Sequence, residues 1–242
     1  MIPTELAKQI FPLVSEVINK VESINNFSLH FEPSKSDMIL TLAMTDVSHL
    51  VLLPKISNFL AQSAPQIRIN VRPISLETSY QMANGEIDMA IGFLPQLEDG
   101  FYQQKLFSQR YVVISRKDHP RINAQNFTLE DYMRELHIDI DTGVGHYQIE
   151  NALQNSGVKR DILIRLPSYL GVGLMVQETD AIATVPYYLS KVLLSRDNLQ
   201  ILDAPVDFPT YSIKQHWHMC CHHKTSHQWF RKSCYEIFKN MS

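Results

Sequence analysis

The first apolar pattern in the chain is a repeat of about seven residues within residues 1–26. Apolar side chains follow one another at spacings of four, three, four and seven, at Leu6, Ile10, Leu13, Val17 and Ile24. Lys20 occupies the core position that the repeat skips. Such spacing predicts an amphipathic helix with a narrow apolar seam. The pattern alone fits both packing of the helix on its own domain and pairing with a second subunit.

After this helix, a connector leads into an alternation of strands and helices. Residues 27–37 contain Pro33 and several Ser and Lys residues, a composition typical of a segment between structural units. From residue 38 onward, the apolar runs predict strands at 39–44, 67–74 and 87–92, with helices at 47–61 and 78–84. This rhythm predicts a parallel sheet that is covered by helices and connected by right-handed crossovers.

The second half of the chain repeats the alternation in a second unit. Predicted strands at 101–106 and 111–115 are only four residues apart, which is too close for a helical crossover, so the chain changes sheets there. The elements that follow lie at 129–134, 136–140, 145–155, 162–166, 169–178, 181–185, 187–194 and 199–202. A strand at 211–221 and a helix at 228–240 remain, and they are explained best if the chain returns to complete the first unit.

Together these elements predict an α/β protein of two Rossmann-like lobes joined by two crossovers, near residues 112–115 and 203–210. The first lobe is expected to contain residues 38–112 and 208–242, and the second lobe residues 113–207. In open α/β sheets, ligands bind beyond the carboxyl ends of the strands. We therefore expect a ligand in the cleft between the lobes.

Composition and charge narrow the class of protein. The 242 residues are 45% hydrophobic and 19% charged, which excludes a disordered or low-complexity chain. The net charge is −3 and basic residues cluster only in pairs, so this chain alone is a poor candidate for binding the phosphate backbone of DNA. No apolar stretch approaches the ~20 residues that span a bilayer, and residues 1–24 lack the apolar run of a signal peptide. Three cysteines cannot form a disulfide framework, so we expect a cytoplasmic protein without membrane contact.

No enzyme motif in the chain is complete. Residues 143–148 begin like a dinucleotide fingerprint but lack its third glycine. The chain has no Gly-x-Ser-x-Gly elbow, no His-Glu-x-x-His and no Cys-x-x-Cys. We therefore predict no catalytic residues, no cofactor and no enzymatic activity.

A cluster of metal-ligating residue types lies near the end of the chain. Five of the ten histidines fall within residues 216–227, and imidazole and thiolate are the ligands that zinc prefers. Alternation on a strand predicts that Trp217, Met219 and Cys221 face the core. The other face, with His216, His218 and Cys220, is then expected to be partly exposed to solvent. Because the cysteines are adjacent and a second ligand pair is missing, no metal ligands are predicted here.

The order of several short motifs resembles the effector-binding domain of a LysR-type transcriptional regulator. The motifs are Phe31 to Pro54, Ala64-Pro65, Gly85 to Pro95, Arg116 to Pro120, Gly145-His146, Thr179 to Pro186 and His216 to His218. The likeness covers residues 3–242 and is greatest to the subgroup of nodulation, naphthalene/salicylate and dinitrotoluene-responsive regulators. It implies a periplasmic-binding-protein type II fold, in agreement with the two predicted lobes.

The resemblance also implies how the chain pairs and acts. Residues 1–26 correspond to a linker helix that joins two subunits, so a homodimer is expected, with a homotetramer left open. The expected dimerisation residues are Leu6, Ile10, Leu13, Val17 and Ile24. Family members carry a winged helix-turn-helix domain before this helix, and DNA contact is expected only through that domain, which lies outside this sequence.

In the family, the effector lies between the lobes, beside strand ends and helix starts. Matching motifs assign to this site Thr45, Asp46, Val47, Gly92, Phe93, Gly145, His146, Ser168, Tyr169 and Pro186. Helix-start amides suit an anion and aromatic rings suit a flat apolar body, so the expected effector is a small aromatic carboxylate or a phenol. Three of these residues have alternative roles: a helix N-cap for Asp46, core packing for Phe93, and a surface or capping position for His146.

Two other functions stay open at the level of sequence. A solute-binding protein of the same fold would need export from the cell. A zinc-dependent sensor would use the histidines of residues 216–227.

Overall fold

A 21-residue helix opens the described part of the protein, as the apolar repeat predicts. The computed structural model describes residues 4–25, 31–97, 99–141, 143–196 and 198–241. Within these ranges, no helix combines the length and the apolar character that a membrane crossing requires.

Ten strands and nine α-helices are found in the described ranges. The helices are α1 (Glu5–Asn25), α2 (Asp46–Val51), α3 (Leu53–Ser63), α4 (Thr78–Ala83), α5 (Leu129–Arg134), α6 (Gly143–Asn155), α7 (Val172–Gln177), α8 (Tyr187–Leu194) and α9 (Thr225–Phe238). The strands are β1 (Ile39–Met44), β2 (Arg68–Pro73), β3 (Met89–Gly92), β4 (Phe101–Gln109), β5 (Tyr111–Arg116), β6 (Leu136–Ile140), β7 (Asp161–Leu166), β8 (Ala183–Pro186), β9 (Leu199–Leu202) and β10 (Tyr211–His218).

The largest sheet contains five strands in the order β2-β1-β3-β10-β4. Strand β1 pairs in parallel with β2 and β3, whereas β10 runs antiparallel to both β3 and β4. The last strand of the chain therefore lies between two strands from its first half.

Two smaller sheets lie in the part of the chain between β4 and β10. One has the order β8-β5-β9 and is antiparallel, and the other pairs β6 with β7 in parallel. They are joined where the Ile138 amide donates a hydrogen bond to the Ile182 carbonyl at 2.8 Å. The predicted α/β class is confirmed, while the lobe bounds at residues 112/113 and 207/208 stay predictions.

The five-stranded sheet is covered on both faces, as expected for parallel strands. On β1, Leu42 packs into the main apolar cluster, whereas its neighbour Ala43 packs with Met82 and Ala90 in a separate cluster on the opposite face. All four side chains are 0% exposed. The near-continuous apolar run of β1 follows from this two-sided burial.

The helix predicted at 47–61 is two helices, α2 and α3. The break falls at Leu52, so that Pro54 lies in the first turn of α3. Proline has no amide hydrogen to donate, and its ring clashes with the carbonyl four residues earlier in a continuous helix. The sequence pattern therefore located the helical segment but not its interruption.

The strand predicted at 211–221 ends at His218, and a 3-10 turn follows over Met219–Cys221. The His218 ring accepts a hydrogen bond from the Cys220 amide, which favours the turn over continued extension. Alternation is lost there, and Met219 is 52% exposed, so its predicted core position is wrong. The predicted wet position of His216 is also wrong, since it is 1% exposed on a strand that neighbours flank on both edges.

Candidate functional site

A cavity of about 440 Å³ lies where the carboxyl end of β1 and the start of α2 meet the turn before α7. Small-molecule sites commonly measure roughly 300–1,000 Å³. Apolar and aromatic side chains make most of the wall, including Met44, Leu52, Ile74, Phe93, Leu94, Phe107 and Ile213. Its polar groups include Thr45, Asp46, Ser48, His49, Gln96, Gln109, Ser168 and three tyrosines.

Seven of the ten predicted effector residues line this cavity, namely Thr45, Asp46, Val47, Phe93, Ser168, Tyr169 and Pro186. Gly92 lies directly behind the lining, and a Cβ there would be 3.5 Å from Ile74 Cδ1, an ordinary contact. Gly145 is in α6, and its surroundings fall outside the described part of the chain. His146 does not line the cavity. Whether these residues bind an effector stays a prediction.

The start of α2 is fixed by two neighbouring side chains. Thr45 is the N-cap, because its Oγ1 accepts a hydrogen bond from the Ser48 amide at 3.3 Å. The alternative role of Asp46 as N-cap is therefore wrong. Instead, Asp46 Oδ1 accepts from the Val47 amide at 2.8 Å and Oδ2 accepts from the Tyr169 amide at 2.6 Å. Asp46 thus joins α2 to the turn that leads into α7.

Three tyrosines stand together on the wall of the cavity: Tyr111, Tyr169 and Tyr211. The rings of Tyr111 and Tyr211 are 5.2 Å apart, and the Tyr211 ring is 5.5 Å from that of Phe93. Burial raises the pKa of Tyr111 to about 12 and raises the pKa of Tyr169 and of Tyr211 above the usual range. The three phenols are therefore neutral at physiological pH, and the Tyr111 hydroxyl donates its proton to Gln148 Oε1 at 3.3 Å.

The sequence prediction missed Tyr111 and Tyr211. Each is the first residue of its strand, β5 and β10, and each lies close to one of the two predicted crossovers. Aromatic residues where a chain passes between lobes are a signal that could have identified them. Their rings face one another only because these strand starts, one hundred residues apart in the chain, are brought together.

His146 belongs to a charged cluster on the second unit rather than to the cavity wall. Its Nδ1 lies 3.6 Å from Asp139 Oδ1, and its Nε2 lies 3.8 Å from Asp141 Oδ1. Asp139 is buried and pairs with the Arg160 guanidinium at 2.9 Å. Arg160 also contacts Glu150. In this structure, the histidine contacts carboxylates of the protein itself.

One group of possible metal ligands is found among the described residues. Asp139, His146 and Glu150 offer ligand atoms that lie within 4.8 Å of one another. However, the Arg160 guanidinium hydrogen-bonds to both carboxylates, and Arg165 lies 3.5 Å from Asp139, so two arginines balance the two negative charges. A cation would have to displace the buried Arg160, so we assign no metal site there.

The histidines near the chain end do not form a comparable group in the described ranges. Burial lowers the pKa of His216 and of His227 to about 4, so both rings are neutral. His227 lies with Nε2 at 2.8 Å from the Asp88 carbonyl and Nδ1 at 3.0 Å from Arg231. These contacts give the zinc-sensor alternative no support.

Helix α1 exposes the apolar side chains of its seam. Leu6, Leu13 and Val17 are at least 60% exposed and Ile10 is 43% exposed. The side chain of Ile24 lies outside the described part of the chain. A second row on the adjacent face is exposed as well, at Phe11, Val14, Ile18 and Val21. An apolar surface of this kind is typical of a helix that binds a partner.

Comparisons with known proteins agree with this architecture. Residues 36–237 match the family profile described as the LysR substrate binding domain. The chain is 32% identical over 240 residues to the HTH-type transcriptional activator NahR of Pseudomonas putida, covering 98% of this chain and 80% of that protein. It is 30% identical over 240 residues to the HTH-type transcriptional activator NagR of a Ralstonia species, covering 98% and 79%.

A solved structure shows the same fold. The crystal structure of the probable transcriptional regulator PA0477 from Pseudomonas aeruginosa superposes with a TM-score of 0.75 at 29% sequence identity. The match covers 96% of this chain and 77% of that one. The two α/β units and the cavity therefore define a regulatory domain with the periplasmic-binding-protein type II fold, as predicted.

The chain belongs to the LysR family of transcriptional regulators, and residues 36–237 are its effector-binding domain. The family resemblance read from the short motifs is confirmed.

Proposed function

We propose that the cavity binds a small aromatic carboxylate or a phenol, and that this effector controls transcription through a DNA-binding domain that precedes α1. The observation that supports the proposal is the composition of the wall. Aromatic rings and three neutral tyrosine hydroxyls surround a cavity of about 440 Å³. A flat ring would pack on Phe93 and Tyr211, while its oxygen atoms would accept a hydrogen bond from the Ser168 hydroxyl, whose oxygen accepts from the Leu170 amide.

The proposed site keeps all the residues that the motifs assign. Thr45, Asp46, Val47, Phe93, Ser168, Tyr169 and Pro186 would contact the effector directly, as they line the cavity. Gly92 would allow close approach behind them. Gly145 and His146 would take part once the ring of His146 turns away from Asp139 and Asp141, whose contacts with it are 3.6 and 3.8 Å long.

The mechanism we propose is a population shift between interlobe arrangements. An effector that binds one arrangement more tightly than the other shifts the equilibrium toward the first. The size of the shift is set by the ratio of the two affinities. In the proposed division, residues 38–112 and 208–242 form one lobe and residues 113–207 the other. A change in their angle would alter how paired subunits present their DNA-binding domains.

Pairing is proposed to occur through α1, as a homodimer that could assemble further into a homotetramer. The exposed apolar row of Leu6, Ile10, Leu13 and Val17 supports this role. As a transcriptional regulator without enzymatic activity, the protein would act in the cytoplasm, where its DNA target lies. The support for this part of the proposal is that NahR and NagR are named transcriptional activators.

A thermal-shift screen tests the effector proposal. The purified chain is heated with benzoate, salicylate, hydroxybenzoates, flavonoids and non-aromatic acids. A ligand at 100 times its dissociation constant adds about 2.7 kcal/mol to the free energy of unfolding. We expect an aromatic acid or phenol to raise the melting temperature of the parent, and Phe93→Ala to remove most of that rise.

Two further variants test whether a change in the ligand-induced rise of the melting temperature comes from the binding site or from a general loss of stability. His146→Ala should weaken the shift if its ring contacts the effector. Tyr147→Ala is the matched control, because this neighbouring side chain is 66% exposed and does not line the cavity. A screen in which no aromatic ligand shifts the parent, or in which Phe93→Ala shifts as much as the parent, contradicts the proposed effector site.

A further inference from the structure

Two consecutive cysteines meet in the 3-10 turn between β10 and α9. The Sγ atoms of Cys220 and Cys221 are 3.6 Å apart. Cys220 is partly exposed, whereas Cys221 is 1% exposed. The thiol of a partly exposed cysteine, which also lies 3.9 Å from the Met82 carbonyl, therefore contacts the thiol of a buried one, at a place that does not line the proposed effector cavity.

The contact makes the two sulfur atoms chemically unequal. The hydrogen bond with the Cys221 thiol lowers the pKa of Cys220 to about 6, and the His218 ring acts in the same direction. The same hydrogen bond, together with burial, raises the pKa of Cys221. Because the thiolate is the reactive form of cysteine, Cys220 is the nucleophile of the pair.

We propose that Cys220 and Cys221 form an oxidisable dithiol that hydroperoxides convert into a disulfide. An accessible cysteine with thiolate character next to a second cysteine is the arrangement found in redox-sensitive sites. The sulfur of Cys221 lies 3.6 Å from that of Cys220, so the two reacting atoms are in contact before the bond forms.

The reaction has two balanced steps. The Cys220 sulfur first attacks one peroxide oxygen, so that an S–O bond forms and the O–O bond breaks, and the departing oxygen takes a proton to leave as water or an alcohol. The Cys221 sulfur then attacks the resulting sulfenic acid. An S–S bond forms, the S–O bond breaks, and the hydroxyl leaves as water with the Cys221 proton. The two thiols lose two electrons in total, and the peroxide gains them.

Closing this disulfide must distort the turn. Consecutive Cα atoms lie about 3.8 Å apart across a trans peptide, whereas disulfides favour Cα separations of roughly 4.4–6.8 Å. The turn is tied to α9 by Arg231, which donates to the Cys221 carbonyl at 3.4 Å and to the His222 carbonyl at 3.1 Å. The same guanidinium stacks over the Trp217 ring at 4.3 Å on β10.

Oxidation is therefore expected to loosen the contacts that Arg231 makes between the turn, α9 and β10. The far end of β10 reaches the cavity at Tyr211 and Ile213. A change at the turn therefore acts on β10, which also lines the cavity. The proposal of an oxidisable dithiol does not depend on the proposed effector.

Intact-mass analysis after brief treatment with hydrogen peroxide tests the dithiol. The parent should lose two hydrogens, its pair should stop reacting with maleimide, and dithiothreitol should reverse both changes. Cys221→Ser should stop at a sulfenic acid that dimedone traps. Cys220→Ser and Cys220→Ala should stay unmodified over the same exposure, and either variant suffices if the other does not fold.

Cys234→Ser provides the matched control, because Cys234 is 0% exposed and burial raises its pKa. This variant should oxidise like the parent. Oxidised parent should also melt at a lower temperature than reduced parent, whereas Cys221→Ser should show no such disulfide-linked drop. Oxidation of Cys220→Ser at the parent's rate, or disulfide-linked dimers in place of the intramolecular bond, would overturn the proposal.

Discussion

Among the described residues, burial keeps the rings of His137, His216 and His227 neutral. Burial lowers the pKa of His137, His216 and His227 to about 4 each. His137 Nε2 lies 2.7 Å from the Tyr132 carbonyl, and His227 Nε2 lies 2.8 Å from the Asp88 carbonyl, so each neutral ring can donate to the backbone. The sequence showed the histidine cluster but not this neutrality, because burial of His216 depends on which strands flank β10.

These rings make stability depend on pH in a defined direction. The unfolded chain protonates them near a pKa of about 6.5 and the folded chain only near about 4, so the unfolded state binds more protons between these values. The neutral rings should therefore contribute fully to the free energy of unfolding above about pH 6.5. That contribution should be lost as the pH drops toward 4, by up to about 3 kcal/mol per histidine.

Urea unfolding at neutral pH and at about pH 5 measures this loss. His137→Gln should reduce it, since the amide can still donate to the Tyr132 carbonyl but does not titrate. His223→Gln is the control, because His223 is exposed and should leave the pH dependence unchanged. Equal free energies of unfolding at the two pH values would show that these histidines are not held neutral.

At the scale of elements, α1 presents an apolar surface that its own charges do not cover. Leu13 and Val17 are 63% and 60% exposed on the seam. Leu13→Glu combined with Val17→Glu should place like charges at the proposed helix interface and shift the protein from dimer to monomer. Sedimentation equilibrium measures this, with Glu16→Gln as the control beside the seam. A parent that is monomeric, or a double variant that stays dimeric, contradicts pairing through α1.

Most elements could be predicted from periodicity, and the exceptions have local causes. The break between α2 and α3 follows from Pro54, which the apolar spacing does not register. The early end of β10 follows from the capping of the turn by His218. Both are effects of single residues on backbone hydrogen bonding, whereas apolar spacing reports only which face of an element is buried.

The candidate site was predictable in a similar, partial way. Residues that follow a strand or begin a helix, such as Thr45 and Ser168, lie at the cavity because such termini meet in α/β folds. The pairing of Tyr111 with Tyr211 joins positions far apart in the chain, and no local pattern encodes it. The position of His146 away from the cavity depends on the buried Asp139 and Arg160 pair, which is equally non-local.

At the scale of the whole molecule, one carboxylate connects the two walls of the cavity. Asp46 at the start of α2 accepts a hydrogen bond of 2.6 Å from the Tyr169 amide, 123 residues away in the chain. Hydrogen bonds to a charged group contribute about 1.5–3 kcal/mol. This bond therefore favours the arrangement in which α2 and the turn before α7 stay close together.

Removing that carboxylate should shift the population toward a more open cleft. Asp46→Ala loses the bond to Tyr169, so the radius of gyration from small-angle scattering should rise and the melting temperature should fall. Asp46→Asn keeps an oxygen acceptor but not the charge, so both changes should be smaller. Asp118→Ala is the control, since this exposed carboxylate does not line the cavity. If Asp46→Ala has the parent's radius of gyration, the cleft is held by other contacts, and an effector would not need to break this bond to change the interlobe angle.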